Sequence, residues 1–195
     1  IREDIQDLAD KFGDERRTHV DYSIAADIDE DDLHPREQVV ILLTQQGYVK
    51  RVNASAYRAQ RRGGKGVKGV QMREEDGPEA LVAASSHDTI LFFTDHGKVY
   101  SVRRGYDLPE AGRASRGTLI QTLLALTPNE RITAVVPVER FDIEGGYFVL
   151  ATRNGRIKRV KLQEFEAVRP SGLIAITLED GDYLNWVKYT DGDQD

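Results

Sequence analysis

Cysteine is absent from the 195 residues, which excludes a disulfide scaffold, thiolate metal sites and a cysteine nucleophile, and fits a reducing compartment. Long apolar runs are absent too. Stretches such as residues 39–43 fall far short of the ~18 residues needed to cross a bilayer, so no membrane association is expected. The start has no basic segment, apolar core and small-residue cleavage site. Ile1 rather than Met at the first position predicts a segment of a longer chain. His19, His34, His87 and His96 show no metal-ligand spacing, no Ser lies in a G-x-S-x-G elbow, and the carboxylates fall mostly in turns or an acidic stretch. No catalytic residue and no metal site are therefore expected.

A further absence is local. Residues 38–73 contain no carboxylate, while Lys50, Arg51, Arg58, Arg61, Arg62, Lys65, Lys68 and Arg73 give this window a net charge of +8. Residues 1–37 are opposite in character, with 13 acidic and 5 basic residues, and residues 74–195 carry a net −6. The overall charge of −6 hides this segregation, and binding depends on where charge sits. A solvated basic loop paired with acidic neighbours is the plainer alternative.

Ile1, Ile5, Leu8 and Phe12 follow a helical stripe that Gly13 is placed to stop. From about residue 18 to 37 the composition is that of an acidic linker, with Asp29, Glu30, Asp31 and Asp32 at its heart. After Glu37 the pattern turns to strands. Thr44-x-x-Gly47 followed by Tyr-Val-Lys-Arg-Val52 recurs as Thr94-x-x-Gly97 with Lys-Val-Tyr-Ser-Val102, and as Thr152-x-x-Gly155 with Arg-Ile-Lys-Arg-Val160. Each copy follows an apolar β-rich run, and each is followed by a basic or Gly-bearing loop at 60–69, 113–117 or 169–172. Further strands are expected at 81–85, 118–124, 131–138, 173–178 and 183–189. A repeat of about 50 residues and four strands is a propeller-blade signature. The fold class is therefore all-β: propeller or β-pinwheel blades of about four antiparallel strands, about three blades in a partial ring, after a short helix and the acidic linker. The repeats are placed near 38–87, 88–146 and 147–195. The closing YTDGDQD reads as a turn after a strand, with a further repeat expected beyond it.

The most distinctive loop is Gln60-Arg61-Arg62-Gly63-Gly64-Lys65-Gly66, followed by Lys68 and Gly69. Its literal GxGxxG is discounted as a dinucleotide fingerprint because no βαβ pattern surrounds it, and no Gly-Lys-Ser/Thr completes a phosphate-binding loop. Glycines let backbone amides approach phosphates, and arginine forks grip phosphate oxygens in a bidentate way. Duplex DNA carries about one negative charge per 1.7 Å of axis, so a handful of such cations can hold a stretch of it. Trp186 and most tyrosines lie in strand patterns and are expected to pack the sheets rather than stack on bases.

These residues resemble the DNA gyrase A-subunit family. Lys11-Phe12-Gly13-Asp14-Glu15-Arg16-Arg17-Thr18 resembles the end of its breakage–reunion region (1–18), and 19–37 the linker into its C-terminal domain. Residues 60–66 match the QRRGGKG box of that domain at every position, and Thr94-Asp95-His96-Gly97-Lys98-Val99-Tyr100 its blade turn. The resemblance implies a β-pinwheel whose blades trade strands. Its basic rim bends duplex DNA, so that ATP-driven strand passage introduces negative supercoils. It also implies a non-catalytic part of a cytoplasmic type II topoisomerase, whose catalytic tyrosine lies upstream. The gyrase B subunit and a second A subunit are the implied partners, and ATP and Mg2+ are held through the B subunit. The DNA-binding residues so implied are Gln60, Arg61, Arg62, Gly63, Gly64, Lys65, Gly66 and Lys68. Further rim candidates are Lys50, Arg51 and Arg58, then Arg103, Arg104, Arg113 and Arg116, then Arg153, Arg156, Lys158, Arg159 and Lys161. The alternatives are the C-terminal domain of the topoisomerase IV A subunit, whose box is usually degraded, and a propeller used for protein contacts.

Overall fold

A computed structural model describes residues 2–14, 17–19, 29–57 and 76–193, which fall into two units, Ile1–His34 and Pro35–Asp195. In the first unit helix α1 covers Arg2–Phe12, with Glu3 and Asp4 in its first turn and Lys11 in its last, the arrangement the helix dipole favours. Its stripe residues Ile5, Leu8 and Phe12 are exposed. Gly13 ends the helix: its N–H donates to Ala9 O, and a β-carbon there would run into that same oxygen. Within the acidic stretch, Glu30–Leu33 form a 3-10 turn that Asp29 caps.

The second unit contains three antiparallel sheets built on one local rule. The strands are β1 (Gln38–Thr44), β2 (Tyr48–Asn53), β3 (Pro78–Ser85), β4 (Thr89–Thr94), β5 (Lys98–Val102), β6 (Thr118–Leu119), β7 (Ile132–Val138), β8 (Tyr147–Thr152), β9 (Ile157–Lys161), β10 (Leu173–Ile174) and β11 (Leu184–Thr190). Three hairpins, β1–β2, β4–β5 and β8–β9, turn at the Thr-x-x-Gly motif. Gly47, Gly97 and Gly155 take φ of 81°, 74° and 87°, which an L side chain rarely tolerates. Their N–H groups donate to the carbonyls of Thr44, Thr94 and Thr152 at 2.8, 3.0 and 3.1 Å. The threonine hydroxyls accept from the N–H of Tyr48, Lys98 and Arg156, so both motif residues are used in closing the turn.

A later strand of each repeat, β3, β7 or β11, pairs with the first strand of its own hairpin. The fourth strand of the first two sheets comes from the following repeat. β6 returns to β2 (Tyr48↔Leu119, Val49↔Thr118), and β10 returns to β5 (Leu173↔Val99, Ile174↔Lys98). The sheet orders are β3-β1-β2-β6, β10-β5-β4-β7 and β11-β8-β9. The blades thus trade strands. The two crossing strands are shorter than the 118–124 and 173–178 expected. After two residues the chain leaves the ladder so that Ile120, and then Ala175 and Ile176, can enter the apolar layers.

Those layers lie on either side of the middle sheet. Ile90 and Phe92 of β4 point into one, with Val39, Ile41, Leu43 and Val49 of the first sheet. Leu91 and Phe93 point into the other, against Phe148, Leu150, Val160 and Val187 of the third. A strand buried on both faces cannot alternate polar and apolar residues, which accounts for the unbroken TILFF run. Phe93, Phe148 and Phe165 meet edge to face with centroids 5.4–5.6 Å apart. Trp186 departs from its expected packing role: it lies in β11 but is 57% exposed.

Candidate nucleic-acid interface

The box residues Gln60, Arg61, Arg62, Gly63, Gly64, Lys65 and Gly66, together with Arg58 and Lys68, lie outside the described residues. The structure sorts the remaining candidates by what each cation touches.

Lys50 is a correction. The sequence places it on the rim, yet its side chain is 0% exposed. Its ammonium donates to the carbonyls of Gly112, Arg113 and Ser115 at 3.3, 2.6 and 2.8 Å. An ammonium has three N–H donors, and all three are taken, so none remains for a phosphate. Burial pulls its pKa below the ordinary lysine value. The same repeat position holds Tyr100 in the second sheet and Lys158 in the third. The Tyr100 ring lies against Gly172, and the Lys158 ammonium donates to Ala175 O at 2.8 Å.

Arg51 is largely covered, and its guanidinium pairs with Glu110 at 3.1 Å; Arg156 pairs with Glu179 at 3.0 Å. These two are oriented by carboxylate partners that share their charge. Arg113 and Arg116 are oriented differently. Arg113 donates to Ala56 O at 3.1 Å. Arg116 lies 3.7 Å over the Tyr48 ring and donates to the Gln46 side-chain oxygen at 3.4 Å. A carbonyl, an amide and a ring face fix direction without neutralising a cation, and among the described residues neither arginine has an ion pair. Arg159 is held in the same way, 4.6 Å over the Tyr147 ring.

The loop that carries Arg113 and Arg116 leads into the exchanged strand β6. It lies along β2, with Arg51 N–H donating to Pro109 O and Ala111 N–H to Arg51 O. Gly117, at φ 92°, passes so close that a β-carbon would sit 2.5 Å from Val49 O. The loop before β10 likewise ends in a positive-φ glycine, Gly172 at φ 82°, whose N–H donates to Arg169 O. Arg169 is exposed and was missed as a candidate. Its place before Gly172, parallel to Arg113 before Gly117, was the available signal.

The candidates do not share one edge. Thr89 Oγ1 donates to Arg103 O, so Arg103 and Arg104 sit where their hairpin opens, and Lys161 holds the same place on β9. Arg153 and Arg156 sit at the opposite, turn end of their hairpin. There Arg153 lines a cavity of about 840 Å3 whose other charged walls are Arg131, Glu79, Asp95 and Glu130.

Carboxylates fasten the turn ends, a role that sequence patterns did not reveal. Asp76 accepts from Gln46 N–H, Asp182 from Asn154 N–H, and Glu130 from the Thr94 hydroxyl at 2.7 Å. Glu130 also accepts from Tyr100 OH and from the Thr127 N–H and hydroxyl. Burial alone would raise its pKa, but these hydrogen bonds outweigh it and hold the carboxyl below its usual range. Burial first, then the Glu130 charge and hydrogen bond, push Tyr100 up to about 12. Asp182 is likewise held low: burial opposes ionisation, but Thr152, the Asn154 and Tyr183 amides and the Arg156 charge prevail.

Among the described residues no group of His, Asp and Glu could hold a metal ion, and no helix is long and apolar enough to cross a membrane. The family model for the DNA gyrase C-terminal domain, a β-propeller, matches residues 38–86, 88–139 and 146–191. The DNA gyrase A subunit of Clostridium acetobutylicum is 44% identical over 195 residues, covering 100% of this chain and 23% of that protein. The chain therefore spans less than a quarter of that relative's length. Among solved structures, a C-terminal domain of DNA topoisomerase IV matches with a TM-score of 0.66 at 29% identity, covering 81% of this chain and 47% of that one. A DNA gyrase A C-terminal domain matches at 0.60 and 25%, covering 79% and 48%. With its three repeats, traded strands and glycine-pinned turns, the chain belongs to the DNA gyrase C-terminal domain family of β-propellers.

Proposed function

We propose that the chain is a duplex-DNA-binding and DNA-wrapping part of a gyrase A subunit, gripping phosphates along a basic surface with little reading of bases. One observation carries this most: Arg113 and Arg116 are aimed by a carbonyl, an amide and a ring, so their full charge stays available to an anion. The intact QRRGGKG at 60–66 occupies the place in the first repeat that 113–117 and 169–172 occupy in the second and third. Bending DNA around such a surface presents a second duplex segment to the cleavage core, so that strand passage introduces negative supercoils. In this proposal the catalytic tyrosine lies upstream, the B subunit supplies ATP and Mg2+ chemistry, and a second A subunit completes the cytoplasmic assembly.

Duplex binding by the full-length A subunit should weaken linearly on a log–log salt plot, and the slope should shrink when Arg61, Arg62 and Lys65 become Ala. In the assembled enzyme the same triple substitution should abolish supercoiling while leaving relaxation or decatenation. A salt-independent affinity, or supercoiling that survives, would contradict the proposal. The 0.66 TM-score to a topoisomerase IV domain favours a second reading, as the corresponding part of that enzyme. Decatenation without any supercoiling by the unmodified enzyme would select it.

A further inference from the structure

Lys50 contributes no contact of its own to an anion, yet it sits beneath the two arginines whose charge is free. Its ammonium binds three carbonyls of a single four-residue stretch, Gly112, Arg113 and Ser115, from 62, 63 and 65 residues away. Apart from the side-chain contacts of Arg113 and Arg116, the backbone of the 112–116 loop is otherwise thinly held. Gly112, Ala114, Ser115 and Arg116 are exposed, and a Ser115 N–H to Gly112 O bond closes the only turn within it among the described residues. A flexible loop would have to be ordered each time it met a phosphate, at a cost set by every residue fixed. A cation that draws the carbonyls inward points the intervening side chains outward and keeps them there before DNA arrives. It also adds positive charge beneath the loop without consuming any of the loop's own.

We propose that Lys50 is a positioning residue for duplex binding: it clamps the 112–116 loop from within, so that Arg113 and Arg116 meet phosphates preordered. This rests on the DNA-wrapping reading above and assigns part of that binding to a buried residue on the preceding repeat. It also gives the strand exchange a use. The loop belongs to the second repeat and the clamp to the first, so the arginines are set only when the two blades are joined.

The test uses the full-length A subunit and a linear duplex long enough to wrap, titrated across a salt series. The variants are Lys50→Met, Arg113→Ala with Arg116→Ala, and all three together. Losing two phosphate contacts should flatten the salt slope by about 1.8 in the double variant. Lys50→Met should weaken binding about tenfold at fixed salt, the equivalent of about one residue's ordering cost. The triple variant should bind no more weakly than the double, because the clamp acts only through those arginines. Additive losses would overturn the proposal, since Lys50 would then act through the field or the fold. So would an unchanged affinity for Lys50→Met alongside faster hydrogen exchange in residues 112–116. If Lys50→Met does not fold, Ala114→Gly with Ser115→Gly loosens the same loop from its exposed side. It should weaken binding in the same non-additive way, and unaltered binding would sink the clamp. The two readings fail separately. If Arg61, Arg62 and Lys65 matter while Arg113 and Arg116 do not, the clamp falls and DNA wrapping stands; if neither set changes the slope, DNA wrapping itself falls.

Discussion

Gly97→Ala and Gly155→Ala form a matched pair that isolates the cost of strand exchange. Both glycines close a Thr-x-x-Gly turn, at φ 74° and 87°, so alanine meets the left-handed penalty of about 1–2 kcal/mol at either site. A stiffer unfolded chain returns about 0.4–1 kcal/mol of it. At Gly155 no described residue lies within 4 Å of the new β-carbon, and the net loss should be about 1 kcal/mol. At Gly97 the β-carbon meets the Ile176 carbonyl oxygen, with Ile176 Cγ2 and Leu178 Cγ at 3.1 and 3.2 Å. The main obstacle is backbone, from the segment after β10 whose Ala175 and Ile176 amides both donate to Gly97 O at 2.9 and 3.1 Å. Overpacking adds about 1–3 kcal/mol, and straining those two bonds up to about 1 kcal/mol each. Gly97→Ala should therefore cost about 3–5 kcal/mol in urea unfolding, with faster amide exchange at Ala175 and Ile176. Gly47→Ala, which among the described residues meets only Ile120 Cγ2 at 3.5 Å, should resemble Gly155→Ala. Equal losses at Gly97 and Gly155, within about 0.5 kcal/mol, would refute the claim that the exchanged segment braces the turn.

Because the folded-state pKa of Glu130 is depressed, its contribution is present above the ordinary carboxylate value and is lost as pH falls through the lowered one. Glu130→Gln should cost about 1.5–3 kcal/mol near pH 7 and flatten the fall in stability between about pH 5 and 3, seen in urea unfolding at each pH; parallel profiles would refute it. Phe148→Ala removes one ring of the mutually packed three-phenylalanine cluster and should cost about 3–5 kcal/mol, whereas Trp186→Ala on the exposed face of β11 should stay within about 0.5 kcal/mol in the same assay.

The amino-acid sequence by itself determined what neighbours can decide. Thr-x-x-Gly closes a turn with its own carbonyl, hydroxyl and positive φ, so three hairpins and their period were legible without any partner. The TILFF run marked a strand buried on both faces. Tertiary structure decided whatever depends on groups far along the chain. The same repeat position holds Lys50, Tyr100 and Lys158, but a loop arriving 62–65 residues later makes the first a buried clamp. Glu110 and Glu179 pair with Arg51 and Arg156, while Arg113 and Arg116 have no carboxylate partner among the described residues, and no spacing rule separates the four. Whether a cation keeps its charge for an anion is set by the acceptors that surround it, and for Arg113 and Arg116 those acceptors, Ala56 and Gln46, stand in the preceding repeat.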